Sequence, residues 1–138
     1  MIEFCHECRE MGFPRKQLQA IAASVYKAEG IPRARRTVVI LCDNRRIRAL
    51  NRHYRHLDRA TDVLSFEFND PDLLGEIYIS LQRCKAQHPR SGLSYDDEVK
   101  RVFIHGLVHL LGFDHQSTVQ RARMQAREMM YCRGFPVD

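Results

Sequence analysis

The chain has 138 residues, which is the size of one compact domain with a single hydrophobic core. It contains no apolar run long enough to cross a bilayer and no secretory signal at its N-terminus, so we expect a cytoplasmic protein without membrane insertion. Its five cysteines are an odd number without the density of a disulfide scaffold, which favours reduced thiols. Cys5 and Cys8 lack a second cysteine or histidine pair that would complete a zinc site, so we interpret them as incidental thiols.

The net charge of +5 comes almost wholly from arginine, which outnumbers lysine 18 to 4. Arginine presents a planar fork of donors that matches phosphate, whereas lysine is a point charge. This bias predicts a phosphate-binding face in the middle of the chain, and a solvated helix surface is the alternative. Nine arginines make up the candidate face: Arg33, Arg35, Arg36, Arg45, Arg46, Arg48, Arg52, Arg55 and Arg59.

The first half of the chain alternates helix and strand patterns. Pro14 opens a helix with apolar residues at helical spacing, and Gly30 closes it. Residues 37–42 are apolar and β-branched, which predicts a buried strand. Asp43 is placed to cap the next helix, which carries Ile47 and Leu50 toward the core.

The second half continues this alternation. Residues 63–68 and 76–79 predict two neighbouring strands, with turn-forming residues 69–72 between them. Ser94 and Asp97 form a capping box for a helix that ends before Gly112, and Ser117 begins a last helix that runs to Gly134. The sequence therefore predicts one α/β domain over residues 1–138, with a small mixed sheet of about four strands packed against helices.

Three histidines in the second half have the spacing of a metal site. His105 and His109 are four residues apart and so share one face of a helix, and His115 follows beyond the turn at Gly112. Three neutral imidazoles leave one position open on a tetrahedral ion, which is typical of catalytic zinc. We therefore predict one divalent ion, with zinc the best match among the metals that imidazole binds. Incidentally placed core histidines are the alternative.

The residue after the first histidine argues against one class of hydrolase. Metzincin proteases share this histidine spacing but carry there a glutamate that activates water for peptide cleavage. This chain has Gly106 instead. A metalloprotease is therefore a minor alternative that needs a base from elsewhere.

Three segments together resemble the YbeY family of bacterial and organellar rRNA maturation factors. Residues 105–115 read H-G-L-V-H-L-L-G-F-D-H and match the family signature H-G-x-x-H-L-x-G-x-D-H. Residues 51–66 match N-x-x-Y/F-R-x-x-D-x-x-T-D-V-L-S-F, and residues 74–80 read L-G-E-I-Y-I-S. The chain departs from the family pattern at Glu67, where proline is usual, and at Glu76, where aspartate is more frequent.

The resemblance implies a single-strand-specific, metal-dependent endoribonuclease that acts in small-subunit rRNA maturation and ribosome quality control, with rRNA and the small ribosomal subunit as partners. It implies metal ligation by His105, His109 and His115, a catalytic site that includes His109 and Arg55, and a guanidinium at Arg55 that binds phosphate and offsets transition-state charge. Asp114 either orients a metal ligand or stabilises the turn. A ribosome-assembly factor that binds RNA around a structural metal is the alternative, and the oligomeric state is left open.

Overall fold

The computed structural model describes residues 1–8, 11–113 and 117–134. Within these residues, four strands and five helices form a single α/β unit, as predicted. The elements are β1 (Ile2–His6), α1 (Arg15–Glu29), β2 (Arg36–Cys42), α2 (Asn44–Arg55), β3 (Val63–Glu67), β4 (Leu73–Ser80), α3 (Leu81–Ser91), α4 (Tyr95–Leu110) and α5 (Thr118–Gly134).

The four strands form one mixed sheet in the order β1-β2-β4-β3. The first three run parallel, and β3 pairs antiparallel with β4 at the edge. The predicted strands at 63–68 and 76–79 are therefore neighbours, as expected. Asp70 makes the tight connection between them because its Oδ1 accepts a hydrogen bond of 2.7 Å from the backbone N–H of Asp72.

The helices cover the two faces of the sheet unequally. The main core joins apolar residues of α1, α3, α4 and α5 to β2 and β4, and Phe103 and Leu107 of α4 lie fully buried in it. A smaller cluster on the other side joins Ile47 and Leu50 of α2 to Leu64 of β3. The edge strand β3 is therefore held between α2 and α4, and this arrangement positions the site described below.

The helix ends follow the predicted capping chemistry. The side chains of Asp43, Ser94 and Ser117 each accept a hydrogen bond from the backbone N–H three residues on. The carboxylate of Asp97, expected to complete a capping box, instead pairs with Lys100 at 2.9 Å. Gly112 follows α4 with a φ of 93°, a left-handed conformation that glycine adopts without strain.

Two elements were absent from the sequence prediction. β1 adds an edge strand parallel to β2, and α3 connects β4 to α4. Ser80 caps α3 by accepting a hydrogen bond from the backbone N–H of Arg83. Across the ranges that the structure covers, no helix has the length and apolar character needed to cross a membrane.

Candidate active site

Helix α4 packs unusually closely on the edge of the sheet at Gly106. A Cβ atom at this position would lie 2.9 Å from Ile77 Cγ2, 3.0 Å from Ser65 Oγ and 3.1 Å from Val63 Cγ2. The Ser65 hydroxyl donates a hydrogen bond of 2.9 Å to the carbonyl oxygen of Gly106. Glycine therefore allows the helix backbone to contact β3 directly.

The same packing explains why this site differs from that of a metzincin protease. Gly106 is buried against β3 and β4, so a side chain at this position has no path to a substrate. A glutamate at position 106 would require these neighbours to shift, and this argues against the protease alternative.

His105 and His109 line a cavity of about 440 Å³ at the sheet edge, here called the edge cavity. Both histidines lie on α4 and are half-buried, and the cavity's other walls come from α2, from the segment after it and from β3. Arg55, which the sequence also predicts as a site residue, lines the cavity from the end of α2. The lining consists of Asn51, Arg55, Leu57, Arg59, Thr61, Asp62, Val63, Leu64, Ser65, His105 and His109.

Arg55 is positioned by two contacts with β3. Its Nη2 donates a hydrogen bond of 3.0 Å to the carbonyl oxygen of Ser65, and its guanidinium lies 5.3 Å from the centre of the Phe66 ring. The chain then turns at His56, whose φ is 60°. Buried Asn51 holds the following segment because its Nδ2 donates a hydrogen bond of 2.9 Å to the carbonyl oxygen of Arg59. Arg55 is thereby held in the lining of the cavity that the two histidines also line.

His105 is oriented by a carboxylate from α5. Its Nδ1 lies 2.5 Å from Glu128 Oε1, and because a carboxylate accepts, Nδ1 carries the proton and donates. The neutral tautomer then has its lone pair on Nε2, the state in which histidine binds a metal. The hydrogen bond to Glu128 raises the pKa of His105 above its ordinary value, while burial works in the opposite direction.

The sequence prediction assigned no role to Glu128, which lies 23 residues after His105. A signal was present in the helical pattern, because Met124 and Tyr131 are the buried residues of α5 and Glu128 falls between them on the same stripe. A carboxylate on an inward stripe requires a partner. Which partner it finds depends on the packing of α5 against α4, and the sequence does not reveal that packing.

The third predicted ligand, His115, lies outside the described residues, as does Asp114. Across residues 1–8, 11–113 and 117–134, no three histidine, cysteine or acidic side chains stand together as a metal site. The described part of the predicted site nevertheless fits a metal ion by its chemistry. Two imidazoles lie on one cavity wall, and the Nδ1 of one of them is already held by a carboxylate.

The nine arginines of the predicted phosphate-binding face lie partly at or before the start of β2 and partly after its end. Arg35 and Arg36 lie at the start of β2, where Arg35 Nε donates to the carbonyl oxygen of Asp70 and Arg36 pairs with Glu3 at 3.3 Å. The arginines of α2 follow the end of β2, whose seven residues separate the two groups by roughly 20 Å. The nine residues therefore lie in two groups along the chain, and the phosphate-binding face stays a prediction.

The arginines on and after α2 do form a basic surface. They line a hollow of about 710 Å³, here called the α2 hollow, which shares Arg59 with the edge cavity. Arg48 in this hollow pairs with Asp58 at 2.9 Å. The other arginines of its lining are Arg45, Arg52 and Arg59.

The chain matches a known protein family. The family model described as Endoribonuclease YbeY matches residues 6–135. The chain belongs to the YbeY family. The resemblance stated from the sequence is thereby confirmed.

Individual YbeY relatives cover the chain to different extents. An Endoribonuclease YbeY from a Sulfurihydrogenibium species is 42% identical over 91 residues, which are 62% of this chain and 60% of that protein. The chain thus spans less than two-thirds of that relative. The Endoribonuclease YbeY of Desulforamulus reducens is 36% identical over 82% of this chain and 80% of its own. The Endoribonuclease YbeY of Bacillus mycoides is 32% identical over 98% of this chain and 96% of its own length.

A solved structure supports the fold. The solution structure of TM1509 from Thermotoga maritima superposes with a TM-score of 0.61 at 26% identity, and the match covers 99% of this chain and 94% of that one. The overall fold of this chain is therefore similar to that of a solved protein.

Proposed function

We propose that this YbeY-family protein is a metal-dependent endoribonuclease that cleaves single-stranded RNA during maturation of small-subunit rRNA in the cytoplasm. The observation that carries the proposal is the edge cavity, in which His105, His109 and the guanidinium of Arg55 line one space. The name Endoribonuclease YbeY, given to the relatives and to the matching family model, supports RNA as the substrate. The small ribosomal subunit is the proposed site of action.

His105 and His109, with His115 as the third ligand, would hold one divalent ion, most consistently zinc. Such an ion would supply Lewis acidity toward a phosphodiester in the cavity. Glu128 keeps the His105 ring in one orientation and one tautomer, so the lone pair of Nε2 is ready before any ligand arrives.

Arg55 would bind the phosphate that is cleaved. One N–H group on Nη2 of Arg55 donates a hydrogen bond to Ser65. A guanidinium has five N–H donors, so the remaining N–H groups can bind the oxygens of a phosphodiester. The positive charge also opposes the negative charge that develops on phosphate in the transition state. Because the contacts with Ser65 and Phe66 hold the group in place, little rotamer freedom is lost on binding.

Cleavage of a labelled single-stranded RNA by the purified, metal-loaded protein tests this proposal. We expect His109→Ala and Arg55→Glu each to lower the cleavage rate by about 10²-fold or more, the cost typical of removing a group that stabilises transition-state charge. Arg15→Glu is the matched control, because Arg15 also lies over aromatic rings, 4.9 Å from the centre of Phe4, but on α1 and outside the cavity lining. Arg15→Glu should cleave at the wild-type rate.

Two outcomes would overturn the proposal. Equal cleavage by wild type, His109→Ala and Arg55→Glu would identify a contaminating nuclease. Full support of rRNA maturation in cells by a folded His109→Ala variant would favour the assembly-factor alternative, in which the protein binds RNA without cleaving it.

A further inference from the structure

A second arginine-lined hollow lies between α3 and α4, here called the α3 hollow. It has a volume of about 390 Å³. Arg83, Gln87 and Arg90 of α3 follow one another at spacings of four and three residues, so one stripe of the helix faces it. Arg101 of α4 and Asp62 complete the charged part of the wall. Neither the sequence prediction nor the family motifs assign this surface a role.

The charges in the α3 hollow are only partly neutralised within the protein. Arg101 is engaged, because its Nη2 lies 2.7 Å from the buried Glu98 and 3.8 Å from Asp62. Gln87 holds both carboxylates by donating to Asp62 at 3.0 Å and to Glu98 at 2.7 Å. The exposed side chains of Arg83 and Arg90 form no ion pair in the part of the chain that the structure describes. Two guanidinium groups are therefore available to an anion.

The α3 hollow adjoins the edge cavity. Asp62 belongs to the lining of both, just as Arg59 belongs to the edge cavity and to the α2 hollow. Each of the two basic hollows thus shares one wall residue with the edge cavity. Adjoining basic surfaces of this kind are typical of a groove that tracks a single-stranded backbone.

We propose that the α3 hollow is a second phosphate subsite, in which Arg83 and Arg90 bind the backbone of the same RNA strand that enters the edge cavity. This inference rests on the proposed function and deepens it, because it gives the strand a path beyond the cleaved phosphodiester. Asp62 and Arg101 form the rigid wall between cavity and subsite, and the two unpaired guanidinium forks contact phosphate oxygens. The protein then recognises a strand several nucleotides long by its backbone and not by its base sequence.

The test is a binding measurement that does not depend on cleavage. Fluorescent 2′-O-methyl oligouridines of about four and about twelve residues fall within the range of single-strand site sizes and lack a free 2′-hydroxyl. Metal-loaded wild type is compared with the double variant Arg83→Gln/Arg90→Gln. The control is Lys16→Gln/Lys27→Gln, which removes the same charge from exposed positions of α1.

We expect the double variant to bind the longer oligomer about tenfold more weakly than wild type and to bind the shorter one almost equally. The slope of log Kobs against log salt concentration should fall by about 0.7 for each phosphate that the variant no longer binds. The control should match wild type in both respects. Thermal unfolding of all three proteins establishes that they are folded, and the exposure of Arg83 and Arg90 predicts unchanged stability.

Equal binding of the longer oligomer by wild type and the double variant, or an equal loss of affinity in the control, would overturn the subsite. Cleavage assays separate this result from failure of the proposed function. In the double variant, KM for a long RNA should rise while kcat at saturation stays at the wild-type value. If the wild-type protein binds RNA through the α3 hollow but does not cleave it, the proposed nuclease function is wrong and the proposed subsite is still supported.

Discussion

The close packing at Gly106 predicts how one methyl group would disturb the site. In Gly106→Ala the new Cβ would lie 2.9 Å from Ile77 Cγ2 of β4, closer than real Cβ contacts, and 3.0 Å from Ser65 Oγ of β3, so α4 or these neighbours must shift by a few tenths of an ångström. Overpacking of this kind costs about 1–3 kcal/mol, and alanine regains about 1 kcal/mol of helix propensity. We therefore expect a net loss of about 0–2 kcal/mol in the free energy of unfolding.

Cleavage should fall as well as stability. His105, which lines the edge cavity, immediately precedes Gly106, and Arg55 is held by Ser65 of the strand against which the new methyl group pushes. Small displacements of positioned groups reduce catalysis steeply, so we expect about a tenfold lower cleavage rate under conditions where the variant is fully folded.

Urea unfolding and single-turnover RNA cleavage measure the two quantities. Gly12→Ala is the matched control, because a Cβ at Gly12 meets no atom within 4 Å, and it should leave both unchanged or raise stability slightly. If Gly106→Ala were as stable and as active as Gly12→Ala, the direct contact between α4 and β3 would not be what positions the site.

Three further variants test other contacts. Gly75→Ala should destabilise more than Gly106→Ala, because its Cβ would lie 2.4 Å from the backbone carbonyl oxygen of Phe66, which cannot rotate away; the urea midpoint measures this, and a wild-type midpoint would contradict it. Glu128→Ala should lower the affinity for zinc about 10–100-fold, measured by competition with a coloured chelator. Glu29→Gln, which alters another carboxylate contact of α5, should leave the affinity unchanged. Equal zinc affinities of the two variants would show that Glu128 does not support the metal site. Hydrogen bonds from Arg101 and Gln87 outweigh burial and lower the pKa of Glu98, so its stabilising effect is present above the ordinary carboxyl pKa of 4.5 and disappears as the pH falls through the lowered value. Urea unfolding across this range should therefore show a smaller acid-induced loss of stability in Glu98→Gln than in wild type, and parallel losses would contradict the assignment.

Much of the fold follows from local patterns in the sequence. The bounds of α1 and α2 agree with the predicted segments because each has an apolar period and a recognisable terminal residue, Gly30 or Asp43. Those of β2 agree because the strand is a continuous apolar, β-branched run. α3 was missed because it has only Leu81 and Cys84 as buried residues and contains Pro89 near its end, so its period is weak. β1 was missed because its burial comes from pairing with β2, a contact that no short segment reveals.

The candidate site likewise has residues that local sequence patterns predict and residues that depend on tertiary packing. His105 and His109 are four residues apart on one helix, so local geometry alone brings them together. Arg55 reaches them only because β3 lies between α2 and α4, and the sequence indicates this arrangement through resemblance to a family and not through periodicity. The roles of Glu128 and Asp62 could not be predicted, because they depend on how α5 packs against α4 and how α3 packs beside Asp62. Such packing involves contacts between segments that are distant in sequence.

Gly106 matters both to the local sequence motif and to the tertiary packing of the site. In the sequence it is the residue that separates this chain from proteases with the same histidine spacing, and that observation alone says only that a base is missing. In the structure it is a point where α4 packs closely against β3 and β4, and its lack of a side chain lets the helix that carries the histidines approach the strand that holds Arg55. A glutamate at position 106 therefore conflicts with this packing. The substitution that would supply the base would also separate the helix from the strand that holds the guanidinium.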